Sequence, residues 1–183
     1  MTGFIKSLFE WVIIIAVAFL LSLVIRNYLI DTRIVPTGSM LPTIQLQDRL
    51  IVDRFFYKYG SIKRGDIIVF TAPEGIPQDE DLVKRVIGLS GEKVQVKNGK
   101  VYINDKALNE PYIAEQPNYE YGPVTVPANS YFMLGDNRNL SRDSHYWGFL
   151  AANKILGRVW IRYWPVTHFG SLGKVPENYF AGE

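Results

Sequence analysis

Apolar and polar residues divide the chain into two parts. Residues 11–25 read WVIIIAVAFLLSLVI, without a charge, and lie between Glu10 and Arg26. As a helix at 1.5 Å per residue, this run covers roughly 22 Å of the roughly 30 Å hydrocarbon core of a bilayer. If Glu10 and Arg26 snorkel toward the headgroups, the apolar flanks extend the helix far enough to span. The pattern therefore predicts a membrane-spanning helix over about residues 8–28.

Two other interpretations of this apolar run stay open. A cleaved signal peptide requires a basic start and a small-x-small cleavage site, and the sequence RNYLIDTRIVP after the run has no such site. A buried core helix is the other alternative, although a helix that is apolar on every side fits lipid better. We expect residues 1–30 to form an uncleaved anchor and residues 31–183 a separate domain. Lys6 on one side and Arg26 and Arg33 on the other leave the orientation open.

Beyond residue 30 the pattern changes to short β-rich runs between turn residues. These runs are residues 48–56 (DRLIVDRFF), 66–72 (DIIVFTA), 82–91 (LVKRVIGLSG), 131–134 and 158–164. Residues 94–97 and 100–103 alternate in polarity on either side of Asn98-Gly99. Asn-Gly is the strongest short signal for a hairpin, because both residues tolerate positive φ. Short strands without intervening helices predict a mostly β, antiparallel fold.

Composition narrows the possible chemistry. The net charge is +2, from 20 basic and 18 acidic residues, so no nucleic acid is expected as a partner. The chain has no Cys and two His, at positions 145 and 168, which excludes a cysteine protease and a multi-histidine metal site. The HExxH motif, phosphate-binding glycine loops and the GxSxG elbow are also absent. A nucleophile, if there is one, is expected to be Ser, Thr or Lys.

The segment PTGSMLPT, residues 36–43, predicts a stiff exposed loop around a serine. Its two prolines keep either end out of a ladder or a helix interior. Gly38 permits an unusual φ or a close backbone approach just before the hydroxyl of Ser39. The Ser39 N–H could then face an oxyanion, and Thr37 could offer a second donor. An ordinary surface turn is the alternative interpretation.

Lys84 lies in the apolar run DLVKRVI, residues 81–87. Alternation along a strand places Lys84 on one face with Leu82 and Val86, and Arg85 on the other. If the ammonium is desolvated, its pKa falls, by up to about 3–5 units for full burial. A neutral amine can take the proton of a serine hydroxyl, as in the Ser-Lys variant of the catalytic triad. The alternative is a lysine that snorkels to solvent.

A third segment, GDNRNLSRDSHYWG at residues 135–148, is a dense polar loop after an apolar strand. Its Asp and Asn side chains can hydrogen-bond to the local backbone. A calcium loop is conceivable from these oxygen donors, but the glutamate expected at the end of an EF-hand loop is missing.

Together these segments resemble the type I signal peptidases, which remove signal peptides from exported proteins. Behind the apolar helix stand PTGSMLPT, DRLIVDR, GDIIVF, DLVKRVIGLSGEKV and GDNRNLSRDSHYWGF, in the order of the family. The SHYWGF sequence is most similar to cyanobacterial and thylakoid members. The resemblance covers essentially the whole chain. It implies an antiparallel β-sheet protease domain with one N-terminal transmembrane helix.

The resemblance also assigns roles to single residues. It implies that Ser39 is the nucleophile and Lys84 the general base, with the Ser39 N–H and the Thr37 hydroxyl as oxyanion donors. A hydrogen bond from Ser141 to the lysine is implied, and Arg85 and Asp143 fall at further supporting positions. By the same resemblance, candidate walls of the substrate pocket are Val35, Met40, Ile44 and Val83. The physical alternative for each of these four is packing in the core.

Two positions depart from the family pattern. Asn139 stands where many members carry Asp, and His145 stands where some carry Arg, the ion-pair partner of the acid at 143. Both departures concern the electrostatics around the lysine rather than the reaction.

The implied activity is cleavage after small residues at the first and third positions before the bond, through an acyl-enzyme on Ser39. It needs no metal and no organic cofactor. The expected partners are signal peptides of secreted preproteins and the lipid bilayer, with the domain on the non-cytoplasmic side of a cell or thylakoid membrane. Two alternatives are a self-cleaving repressor, which would require a DNA-binding head, and an inactive module that binds exported peptides.

Overall fold

A computed structural model describes residues 2–24, 29–73, 76, 81–172 and 179–180. The helices are α1 (Thr2–Val24) and the single turn α2 (Ser144–Trp147). The strands are β1 (Ile30–Ile34), β2 (Arg49–Asp53), β3 (Ile67–Thr71), β4 (Asp81–Gly88), β5 (Lys93–Lys97), β6 (Lys100–Ile103), β7 (Lys106–Ala107), β8 (Tyr121–Thr125), β9 (Ser130–Leu134), β10 (Leu150–Ala151), β11 (Ile155–Trp164) and β12 (Gly170–Ser171). Three 3₁₀ turns complete them, at Phe56–Lys58, Ala152–Lys154 and Val166–His168.

Helix α1 carries the predicted apolar run. Its segment Lys6–Val24 has a mean hydropathy of 2.5 and is long and apolar enough to cross a membrane, and none of it is buried against the rest of the protein. A helix that is apolar all round and packs on nothing fits lipid better than a core. The last four residues of the predicted span, 25–28, lie outside the described residues.

Most strands form one antiparallel sheet in the order β1-β2-β11-β3-β4-β9-β10, with β12 paired to β11. The alternation expected of a half-buried sheet is visible in β2, where Leu50 and Val52 point into the core. A second antiparallel sheet has the order β7-β6-β5-β8. The prediction of a mostly β, antiparallel fold is confirmed.

The predicted hairpin joins β5 to β6. Asn98 and Gly99 both have positive φ, 50° and 71°, and Lys97 pairs with Lys100 across the turn. The inward side chains Val96 and Val101 belong to a buried cluster that joins the small sheet to the large one. The hairpin is therefore fixed both by its turn and by burial of one face.

Two strand edges lie close together in the large sheet. Strand β1 pairs with β2 alone, and β4 pairs with β9 only from Arg85 to Gly88. The first half of β4 therefore has β3 on one side and no strand of the described chain on the other. Arg33 of β1 reaches Asp81 of β4, with 2.8 Å between Nη1 and Oδ2. The sheet thus curves until two free edges face each other across a groove.

Candidate active site

Ser39 lies in the loop that follows β1, at the end of this groove. The loop is anchored by Val35, which is buried and exchanges backbone hydrogen bonds with Asp48 (3.0 Å) and Gln47 (2.8 Å). From the other side, the Asn137 N–H donates to the Ser39 carbonyl at 3.1 Å, and the Asn137 side-chain amide donates to the Gly38 carbonyl at 3.1 Å. The loop is therefore held at both ends, and Ser39 is half-buried.

Lys84 meets the serine hydroxyl directly. Its Nζ lies 2.8 Å from Ser39 Oγ and 3.1 Å from the Val83 carbonyl oxygen. The residue is 3% exposed. Burial lowers the pKa of Lys84 from 10.5 to about 8, while the carboxylates of Asp143 and Asp136 act in the opposite direction. A base with a pKa near 8 beside a hydroxyl is the arrangement that general-base catalysis requires.

Thr37 lies on the exposed side of the serine. Its Oγ1 is 3.5 Å from Ser39 Oγ, and the side chain is open to solvent. The hydroxyl is therefore near the reacting oxygen and free to rotate toward a substrate oxygen.

Ser141 is buried, but its hydroxyl has no hydrogen-bond partner among the described residues. The hydrogen bond to Lys84 that the resemblance implies is not formed here, because the Lys84 amine contacts Ser39 and the Val83 carbonyl instead. A side chain at Gly135 would collide with both Ser141 and the Ser39 carbonyl. Gly135 therefore lets the loop after β9 pack against the loop that carries Ser39, called the nucleophile loop below. This packing places the Ser141 hydroxyl next to the active site.

Asp143 is fully buried and makes structural contacts. One carboxylate oxygen accepts the Gly135 N–H at 2.9 Å, and the other caps α2 through the His145 N–H at 3.3 Å. The His145 ring nitrogen Nδ1 is 2.6 Å from the same Asp143 oxygen, and the ring stacks on Tyr119 at 4.1 Å. His145 therefore stands in hydrogen-bond contact with this carboxylate, at the position where the resemblance leads one to expect an ion-pair partner.

Arg85 points away from Lys84, as the strand alternation predicts. It makes two hydrogen bonds to Asp136, at 2.8 and 2.6 Å, and a third to the Gly65 carbonyl at 2.9 Å. Asp136 also accepts a hydrogen bond from the hydroxyl of Thr43, which lies in the same loop as Ser39. Arg85 thus holds the carboxylate of Asp136 in place, and Asp136 in turn holds the loop that carries Ser39. Its pKa is raised through the hydrogen bond and charge of Asp136, against the effect of burial.

Asp136 and Asn137 were not among the predicted site residues, although both bind the loop that carries Ser39. The only signal for them was the GDNR segment itself. Their partners Thr43, Gly38 and Ser39 are between 93 and 99 positions away in the chain, and nothing local indicates such a contact.

The groove contains a small pocket of about 30 Å³ next to Ser39. Of the four predicted wall residues, Val35, Met40 and Val83 line it. Ile44 does not line it and is fully buried in the core, in the same cluster as Val35 and Met40.

A second, larger cavity of about 410 Å³ opens beside the same serine. Its walls are mainly aliphatic, with Leu41, Leu82 and Leu140 among them. Ser39 and Lys84 contribute to both the small pocket and this cavity, so the reacting atoms lie between them. Within the described part of the chain, no group of three or more acidic or histidine side chains could hold a metal ion.

Comparison with known proteins gives the family. The family model of the signal peptidases, peptidase S26, matches residues 8–164. A signal peptidase I from Leptolyngbya laminosa is 46% identical over 176 residues, which are 93% of this chain and 87% of that protein. A probable signal peptidase I-2 from Synechocystis is 46% identical over 158 residues, 85% of this chain and 72% of that protein. The chain belongs to the signal peptidase family, peptidase S26.

The predicted resemblance to type I signal peptidases, including cyanobacterial ones, is confirmed. A crystal structure of a signal peptidase I from Enterococcus faecalis is 34% identical, with a TM-score of 0.48, and its match covers 54% of this chain and 96% of that one.

Proposed function

We propose that this chain is a signal peptidase I, a serine endopeptidase that removes N-terminal signal peptides from exported preproteins. The observation that carries the proposal is the contact of 2.8 Å between Lys84 Nζ and Ser39 Oγ. The amine is desolvated, so its pKa of about 8 leaves a useful neutral fraction at neutral to mildly basic pH.

The reaction proceeds in two halves. The neutral Lys84 amine takes the proton of Ser39 Oγ, and the oxygen attacks the carbonyl carbon of the scissile bond. The Ser39 N–H and the Thr37 hydroxyl donate to the oxyanion. Lys84 then gives its proton to the leaving amine, so the C–N bond breaks and the signal peptide stays as an ester on Ser39. A water molecule, deprotonated by Lys84, hydrolyses this ester and restores both groups.

The small pocket supports cleavage after small residues. Its volume is about 30 Å³, against about 410 Å³ for the neighbouring cavity, so the pocket favours a small side chain. An extended substrate that adds to the free edges of β1 and β4 would point alternate side chains into this groove. Val35, Met40 and Val83 would then enforce small residues at the first and third positions before the bond.

Substitution of Ser39 tests the proposal. Ser39→Ala should lower cleavage of a preprotein by roughly a thousandfold or more, because the acyl-enzyme can no longer form. Its melting temperature should stay close to that of the wild type, since the change removes one hydroxyl of a half-buried loop residue and no apolar packing. Ser61→Ala, which removes an exposed hydroxyl elsewhere, is the control and should keep full activity. Activity of Ser39→Ala within tenfold of the wild type would refute the assignment.

We infer further that residues 1–30 anchor the catalytic domain, residues 31–183, in a lipid bilayer on the non-cytoplasmic side of a cell or thylakoid membrane. Support comes from α1, whose apolar segment is not buried against any described part of the protein. Further support comes from exposed aromatic rings near Leu29, a few residues after the end of α1. Phe56 is 64% exposed, and its neighbour Arg54 donates its backbone N–H to the Leu29 carbonyl at 3.1 Å. Tyr59, three positions further on, is 78% exposed, and exposed Tyr rings favour the membrane interface.

Truncation tests the anchor. A chain without residues 1–30 should cleave short soluble peptides at the wild-type rate, but membrane-tethered preproteins more slowly. The anchor supplies effective concentration at the membrane rather than chemistry. Loss of peptide cleavage in a folded truncation would show that the helix is part of the active domain.

A further inference from the structure

Two recesses of very different size flank the candidate nucleophile. The small pocket between β1 and β4 has a volume of about 30 Å³, and the cavity on the other side has about 410 Å³. A recess of 410 Å³ lies in the range of sites that bind a ligand, and its aliphatic walls suit the apolar parts of a peptide. The small pocket accounts for the residues before the scissile bond and leaves the large cavity without an occupant.

The position of the large cavity indicates which part of a substrate reaches it. The groove for the residues before the bond follows β1 and the first half of β4, and Arg33 and Asp81 join these strands at 2.8 Å. The large cavity shares Leu82 and Lys84 of β4 with the small pocket, but it lacks Val35, Met40 and Val83. It is instead walled by Leu140 and Arg142, in the loop that Asn137 fastens to the Ser39 carbonyl. A chain that comes along β1 and passes Ser39 therefore continues toward this loop.

Side-chain alternation leads to the same position. In an extended peptide, the first and third residues before the bond share one face, and the first residue after the bond points to the opposite face. If the small pocket holds the first and third residues before the bond, the first residue after the bond faces the cavity. The residues after the bond become the N-terminus of the mature protein.

Arg142 gives this cavity a chemical preference. The side chain is exposed at the cavity wall and makes no ion pair with any described residue. Its neighbours on both sides, Ser141 and Asp143, are buried, and its carbonyl accepts the Trp147 indole N–H at 3.4 Å, so the backbone is fixed. The nearest buried acid of the loop, Asp143, is already paired with His145. A guanidinium held in this way can bind an incoming carboxylate through two hydrogen bonds.

We propose that the 410 Å³ cavity binds the start of the mature protein, and that Arg142 favours an acidic side chain at its first residue. This rests on the proposed function, because it names the part of the substrate that the same active site reads after the bond. Arg142 is a specificity-determining residue and takes no part in the bond-breaking steps.

Charge reversal at this position gives a direct test. The full chain in detergent is given peptides that are identical before the bond and carry Asp, Asn or Lys at the first position after it. The wild type should cleave the Asp peptide with a kcat/KM about 3- to 10-fold above the Lys peptide, as expected for a partly exposed ion pair. In Arg142→Gln the ratio of kcat/KM for the Asp and Lys peptides should fall to about 1, and in Arg142→Glu the Lys peptide should be cleaved faster. Raising the salt concentration should reduce the wild-type ratio.

Each ratio is taken within one variant, so a general loss of activity does not affect it. Arg54→Glu makes the same change of net charge at an exposed position outside the cavity and should keep the wild-type ratio. Equal ratios in Arg142→Glu and the wild type would overturn the proposal, as would the same inversion in Arg54→Glu. A second set of peptides carries Asp, Asn or Lys at the second residue before the bond instead, and a charge preference confined to that set would also overturn the proposal. If the wild type cleaves none of the peptides, the proposed function itself fails instead.

Discussion

Replacing Lys84 by methionine should abolish cleavage and stabilise the folded protein at neutral pH. Lys84 is 3% exposed, and its burial lowers its pKa from 10.5 to about 8. This difference of about 2.5 pH units corresponds to about 3 kcal/mol, which is the free energy the fold loses by keeping the ammonium away from water. Methionine has a similar length and no charge, so the variant avoids this cost.

The sign of the pH dependence follows from proton binding. Below about pH 8 the lysine is protonated in both folded and unfolded chains, and the folded enzyme bears the full cost of a buried charge. Between pH 8 and 10.5 the unfolded chain binds a proton that the folded chain does not, so wild-type stability rises with pH through this group. Above 10.5 both states are neutral. The advantage of Lys84→Met should therefore be about 3 kcal/mol at pH 7 and vanish near pH 10.5.

Thermal unfolding of the full chain in detergent measures this difference at several pH values. The difference in unfolding free energy between variant and wild type at each pH removes the contribution of groups that titrate alike in both. Lys154→Met, which removes an exposed lysine, controls for the loss of one positive charge. In parallel, kcat/KM of the wild type should rise through a limb near pH 8, where about half of the amine is neutral, against under about 1% for a free lysine. A limb at 10.5, or an advantage that stays constant from pH 7 to 10.5, would refute the reasoning.

Three further substitutions concern the groups around the lysine. Asp136→Asn should destabilise the fold by about 3–5 kcal/mol, measured by thermal unfolding, because it leaves Arg85 as a buried charge without its partner; an unchanged melting temperature would contradict this. Ser141→Ala should change stability by less than about 0.5 kcal/mol, since the hydroxyl has no described partner. If Ser141 contacts the lysine during the reaction, kcat should fall, and an unchanged kcat would remove it from the supporting residues. His145→Ala should keep activity within about tenfold and lower the melting temperature through the lost contact with Asp143. Inactivity at unchanged stability would instead favour the histidine as the base.

Features with a local cause were predictable from the sequence. The Asn98-Gly99 turn formed because two adjacent residues tolerate positive φ, and the opposite directions of Lys84 and Arg85 follow from the period of a strand. Contacts that depend on the curvature of the sheet were not predictable. The bond between Asp136 and Thr43 joins residues 93 positions apart, and no pattern in either segment indicates it.

The pocket residues show the same division. Val35 and Val83 line the small pocket because they stand at the two free strand edges, which a strand pattern can suggest. Ile44 was expected beside them but is fully buried in the core and does not line the pocket. The direction of a side chain in an irregular loop depends on tertiary packing, and apolar composition does not specify it.

The carboxylates that build the site also oppose its chemistry. Asp136 and Asp143 hold the nucleophile loop and cap α2, yet both raise the pKa of Lys84, whereas a base needs it lowered. Desolvation has the larger effect, and each carboxylate has a nearer partner than the lysine, Arg85 for Asp136 and His145 for Asp143. The positive charge of Arg85, 2.6 Å from Asp136, offsets part of the attraction of that carboxylate for the ammonium form of Lys84. The supporting pairs therefore allow two buried acids to stand near the lysine while its amine remains a base.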